Sequence, residues 1–156
     1  MEGYSNEAAR WFVVITRWGQ WKIIPRRLGE LGVDCYIPSG YNTMVFLRTT
    51  KTRALNIVNA GEVKGHFIID HNTHTLLEVP QEQMQAFIRV TTEHPEAVIA
   101  PGEIIQKGAR VKVVRGSLKG VEGEVIESPG GTVLVVRILN LLSAKVSIPR
   151  ENLALA

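Results

Sequence analysis

Gly108 to Ser128 reads GARVKVVRGSLKGVEGEVIES, and the order of its residue types decides what the C-terminal third of the chain can be. Val111 and Val113 alternate with Arg110 and Lys112, so one face of a strand enters a core while the other stays charged; Arg115 falls one step out of phase. The loop GSLKG follows. Its Gly116 and Gly120 permit backbone angles that other residues resist, and Leu118 between them can fold back over an apolar interior. Gly123 lies inside the next strand, where a missing side chain marks a bulge or lets another backbone approach. Working outward, strands are expected at 110–115, 121–127, 132–138, 144–148 and 152–155, separated by Gly116-Ser117, Ser128-Pro129-Gly130-Gly131 and Pro149-Arg150. Closely spaced short strands of this kind favour a small barrel, because closure removes exposed strand edges. The apolar run from Val133 to Val146 is rich in β-branched valines and follows turn glycines, which favours strands over a helix.

Upstream the pattern mixes two periodicities. Trp11 to Thr16 (WFVVIT) suits a central strand buried on both faces. Ile24, Leu28 and Leu31 recur at helical spacing before Gly32, and Pro25 either starts that helix or kinks its first turn. Strands are expected at 35–38, 44–48 and 66–70, an extended segment at 76–79, and helices at 50–60 and 80–90. The last has Pro80 at its tolerated first position and Met84, Phe87 and Ile88 on one face. Interleaved strands and helices imply helices packed on a small sheet. Residues 94–107, with Pro95, Pro101 and Gly102 and no clear period, form the candidate linker.

The chain has 156 residues and a formal net charge of +3, about +1 of it in residues 1–94 and +2 in the rest. That balance permits contact with nucleic acid or an acidic protein surface without demanding it, since nucleic-acid binders usually carry a stronger basic stripe. One cysteine, Cys35, excludes an intramolecular disulfide and fits a reducing compartment. No signal core or membrane-length apolar run is present in the sequence, so a cytoplasmic protein is expected.

The pattern Gly-x-x-Val-x-Val-x-x-Gly-x-x-x-Gly-x-x-Gly-x-Val, matched at Gly108, Val111, Val113, Gly116, Gly120, Gly123 and Val125, resembles the KOW motif of NusG-type and ribosomal proteins. WFVV at Trp11, CYIP at Cys35, TMVFLRTT at Thr43 and VPQEQMQAFIRV at Val79 are similar, in that order, to the NusG N-terminal domain. RWGQ at Arg17 with LGVDCYIP at Leu31 resembles the RfaH type, and the stretch from His66 the UpxY group. The resemblance implies an α+β chain: an N-terminal NGN-type α/β sandwich over 10–93, a linker over 94–107, and a C-terminal SH3-like five-stranded KOW barrel over 108–156, with Leu118 among the motif positions. It further implies a monomeric, non-enzymatic, cofactor-free transcription elongation or antitermination factor specific to polysaccharide operons. Such a factor grips the clamp helices of RNA polymerase, suppresses pausing or termination, and recruits a ribosomal protein or termination factor through the barrel. Housekeeping NusG and a ribosome-associated RNA-binding KOW protein are the alternatives. There are departures, Pro25 in the first helix among them. Gly40-Tyr41-Asn42 joins the second and third strands directly, where the family usually has a charged hairpin, and Met44 takes the usual aromatic position.

Carried over residue by residue, polymerase contact falls on Trp11, Ile15, Met44, Phe46 and Phe67, each of which also reads as ordinary core. Arg17, Trp18, Trp21, Lys22, Arg26 and Arg27 combine aromatic rings with positive charge, as unpaired bases and phosphates require, with DNA or RNA in the elongation complex as the implied ligand; a solvated helix face explains them too. The basic residues from Lys107 to Lys119 fit RNA, a protein partner or a plain charged barrel exterior. Asp70, His71 and His74 follow no established metal-ligand spacing, so no metal is expected. Cys35 reads as a structural thiol.

Overall fold

The computed structural model describes residues 7–102 and 108–156. The last five residues of the expected linker, Lys107 among them, lie outside the described residues. The chain divides into two compact units, Met1–Gln81 and Glu82–Ala156.

In the first unit, β1 (Arg10–Thr16) is the axis of the sheet. β3 (Met44–Thr49) pairs antiparallel along one side of it, from Arg10↔Thr49 to Ile15↔Met44. Along the other side lie β4 (Gly65–Phe67) and β7 (Glu78–Val79), while β2 (Asp34–Tyr36) closes the far edge on β3. Paired on both sides and covered on both faces, β1 has Arg10 as its one exposed residue, which is why its sequence is a continuous apolar run. One face of the sheet carries Phe12, Val14, Val45 and Leu47. It packs with Ile24 and Leu28 of α1 (Ile24–Glu30) and with Ala54 and Ile57 of α2 (Lys51–Asn59) into a single apolar core.

Pro25 sits in the first turn of α1, where its missing N–H leaves no helical bond unmade, so the helix starts there without a kink. Thr50 caps α2, its hydroxyl accepting the Arg53 N–H at 3.2 Å. Both helices then end in the same way. Val33 N–H donates to Leu28 O at 2.9 Å and Glu62 N–H to Ile57 O at 3.1 Å, each reaching back over a glycine at positive φ, Gly32 at 71° and Gly61 at 79°.

The stretch expected as one strand from His66 to Asp70 is broken. β4 ends at Phe67, and β5 (Ile69–Asp70) turns into a separate hairpin with β6 (Thr75–Leu76). Asp70 closes the turn of that hairpin: its carboxylate accepts the Asn72 N–H at 2.8 Å and its backbone carbonyl accepts the His74 N–H at 2.8 Å, with His74 at φ 56°.

Helix α3 (Gln81–Glu93) begins at the last residue of the first unit and buries Met84, Phe87 and Val90. The remainder is a sheet in the order β13-β9-β10-β11-β12-β8. Five of its strands are those expected for the barrel: β9 (Ala109–Val113), β10 (Glu122–Ser128), β11 (Gly131–Ile138), β12 (Leu142–Ser147) and β13 (Leu153–Leu155). Within Val133 to Val146 the chain is strand on both sides of a turn at 139–141, with Leu134↔Val146 and Val136↔Ala144 facing inward. The sixth, β8 (Val98–Pro101), falls inside the segment that looked like a linker and pairs antiparallel with β12.

Candidate functional site

Strand register sorts the candidate polymerase contacts. Val13↔Phe46 and Ile15↔Met44 are cross-strand partners, and partners point to the same side of a sheet, so Trp11, Ile15, Met44 and Phe46 share the face opposite the helices. Phe67 does not join them. It pairs with Val14, packs against the helix-side core, and meets Phe12 edge-on at 6.4 Å between ring centres. Within the shared face, Trp11 is only 6% exposed and its indole N–H donates to Gln81 Oε1 at 2.8 Å, and Phe46 is fully buried. Ile15 and Met44 are the half-exposed members. Register also puts on this face Tyr36 beside Phe46, with ring centres 6.3 Å apart, Arg48 beside Trp11, and the exposed His66 beside Ile15.

The basic and aromatic cluster occupies the turn after β1. Trp18 is 91% exposed, an unusual position for the residue with most apolar surface to hide. Trp21 follows in a short 3-10 turn, Gln20–Lys22, at 38% exposure, with the Lys22 ammonium 5.8 Å from its ring centre. Arg17, Lys22 and Arg26 are exposed. Arg26 also lies 3.9 Å from Glu30 one helical turn on, and Arg27 is turned inward to the Glu62 carbonyl at 3.4 Å, so Arg27 is committed to the fold. A shallow cleft beside the cluster brings Arg17 together with Lys64 and His66.

In the second unit the KOW positions explain themselves by packing. Val111, Val113 and Leu118 are buried and Val125 is partly buried. Gly116 and Gly120 hold φ of 87° and 95°, and Lys119 N–H closes the loop on Gly116 O at 3.1 Å. A β-carbon on Gly123 would stand 2.6 Å from the Val135 carbonyl oxygen, and one on Gly108 closer still to that of Val125, so both glycines mark places where strands press backbone to backbone. Of the outward basic residues on β9, Lys112 lies opposite the exposed Glu122, which supports the charged-exterior reading.

Sequence spacing gave no hint of the buried ion pair behind this motif. Arg137 Nε donates to Glu124 Oε2 at 2.5 Å, Glu124 Oε1 accepts Gly108 N–H at 3.1 Å, and Arg137 Nη1 donates to Gly102 O at 2.7 Å. Nor did it place Ser117, whose carbonyl accepts from Arg89 at 2.9 Å and whose hydroxyl bonds His94 Nε2 at 3.1 Å.

Among the described residues no three His, Cys, Asp or Glu side chains gather closely enough to hold a metal ion, and Asp70 is occupied in its turn. The Cys35 thiol is half-buried against the helix-side core. Burial, aided by the Asp34 charge, pushes it above the usual thiol range, so it is less nucleophilic than a free cysteine. No helix among the described residues is long and apolar enough to cross a membrane.

Scans for known protein families and for curated proteins find no match to this sequence. Among solved structures, NusG of Thermotoga maritima, studied for its domain interaction, matches 93% of this chain and 96% of its own with a TM-score of 0.50 and 18% identity. At that identity the likeness speaks for architecture. The chain has a NusG-like fold, an α/β sandwich followed by an SH3-like barrel.

Proposed function

We propose that this chain is a transcription elongation factor of the NusG type that acts without catalysis: its N-terminal sheet binds the clamp helices of RNA polymerase, suppressing pausing or termination, and its barrel recruits a partner protein. The observation that carries this reading is a NusG-like fold extending over both parts of the chain, 93% of its length. The apolar sheet face supports it. Ile15 and Met44, adjacent and half-exposed beside Tyr36, form the part of that face a partner helix can reach. Trp18 and Trp21, with Arg17, Lys22 and Arg26, suit unpaired bases and phosphates of the transcribed DNA or its RNA. The RfaH-like RWGQ and the UpxY-like stretch from His66 favour a cytoplasmic paralogue serving particular operons, such as those for polysaccharides.

The test is co-purification with core RNA polymerase. Ile15→Asp and Met44→Asp are expected to abolish capture while the circular dichroism of the chain stays native. Phe46→Asp is uninformative, because charging a fully buried ring position would unfold the sheet. Undiminished capture by both folded variants would remove the sheet face from the reading.

A further inference from the structure

The barrel interior is furnished by β9 to β12 and the turns between them, yet its sheet carries one strand more. β8 covers the free side of β12, with Leu142↔Pro101, Ser143↔Ala100, Ala144↔Ile99 and Lys145↔Val98 in register. It contributes no fully buried side chain of its own, and Val98 is 57% exposed. It ends in a proline, which cannot extend a ladder. What holds it are polar ties around its end: Arg137 Nη1 to Gly102 O at 2.7 Å, Gly102 N–H to Leu141 O at 3.3 Å, and Ser143 Oγ to Ala100 O at 3.4 Å. A strand that brings edge hydrogen bonds but little apolar burial belongs to the part of a fold that opens locally. The row of β12 N–H and C=O groups that β8 covers becomes, once β8 lifts, the template on which an extended segment of another chain can add as a strand.

We propose that β8 is a strap lying on the partner-binding edge of the barrel, and that the partner is a protein offering an extended segment that pairs with Leu142–Ser147 in its place. Release requires the Arg137 tie to Gly102 to open, while the Glu124–Arg137 pair itself stays within the barrel. The proposal rests on the reading that the barrel recruits a protein. It is tested without polymerase, so its failure and the failure of the sheet-face contact are separate results.

Amide hydrogen exchange on the full chain comes first. Whichever of the Ile99 and Ala100 amides faces β12 is expected to exchange at least about tenfold faster than the β10 and β11 amides, as a locally opening unit does. Equal rates would overturn the proposal, because β8 would then open only with the whole barrel. Val98 and Lys145 are direct cross-strand partners, so Val98→Cys with Lys145→Cys, in a Cys35→Ser chain, can be oxidised to fasten the strap. Oxidation should erase the rate difference and reduction restore it.

The second arm frees the edge with Ile99→Pro and Ala100→Pro, which together remove whichever N–H faces β12. A synthetic peptide of residues 96–102 is added at about 1 mM, the order of effective concentration that a tethered segment enjoys. Amide shifts confined to 142–147 are expected in the proline variant and none in the oxidised, fastened chain. No shifts in the proline variant, or equal shifts in both chains, would overturn the proposal.

Discussion

The two sheets hide their interiors by opposite means. In the N-terminal sheet aromatic residues do the filling: Phe12 on the helix side, Trp11 and Phe46 on the other, so that one strand supplies two faces of different character. The barrel segment 108–156 contains no aromatic residue at all; its interior is Val, Leu, Ile and Ala, and its tightest approaches are made by glycine. A large ring tolerates some adjustment around it and leaves a large void when removed. Backbone pressed on backbone has nothing to adjust. The aromatic positions of the sheet should therefore suffer most from losing volume, and the glycine approaches, Gly123 in the barrel and Gly65 against the Ile15 carbonyl in the sheet, from gaining it.

Phe12→Ala is the harshest test, with an expected loss of about 4 kcal/mol, since truncating a buried ring removes its transfer energy and leaves a cavity. Denaturant titration gives the magnitude, and amide exchange should place the damage in 10–81 with the barrel spared. Gly123→Ala inverts the experiment. Its methyl would sit 2.6 Å from the Val135 oxygen, and the expected cost of about 2 kcal/mol should appear in barrel amides only. Damage that spreads equally through both units in either variant would defeat the contrast. Thr50→Ala, which deletes the α2 cap, should cost about 1 kcal/mol by thermal unfolding. The mildest expectation concerns Cys35. With its thiol raised by burial, alkylation by iodoacetamide near pH 8 should run slower in the native chain than in the denatured one, the gap narrowing as pH rises.

Much of this architecture was legible because local chemistry and tertiary need coincide. WFVVIT had to be a strand buried on both sides, and the spacing of Gly116, Gly120 and Gly123 specified loop and close approach before any partner strand was known. What escaped was set by distant partners. VIAP at Val98–Pro101 lies between prolines and has no alternation of its own; it is a strand because β12 offers an edge. The face taken by Phe67 depends on its register against Val14, a residue far away in sequence, so likeness of pattern alone set it among the wrong neighbours. Glu124 and Arg137 lie on adjacent strands, and no periodicity distinguishes a buried ion pair from two solvated charges.

The uneven placing of the aromatic residues also decides what light can report. Every tryptophan and tyrosine of the chain precedes Asn42, so intrinsic fluorescence and near-ultraviolet absorbance carry no signal from residues within the barrel. Of the three indoles, Trp11 is enclosed and Trp18 almost wholly in water. An emission change on adding an oligonucleotide therefore arises from the N-terminal side, and a silent titration with a barrel ligand is no sign that nothing bound.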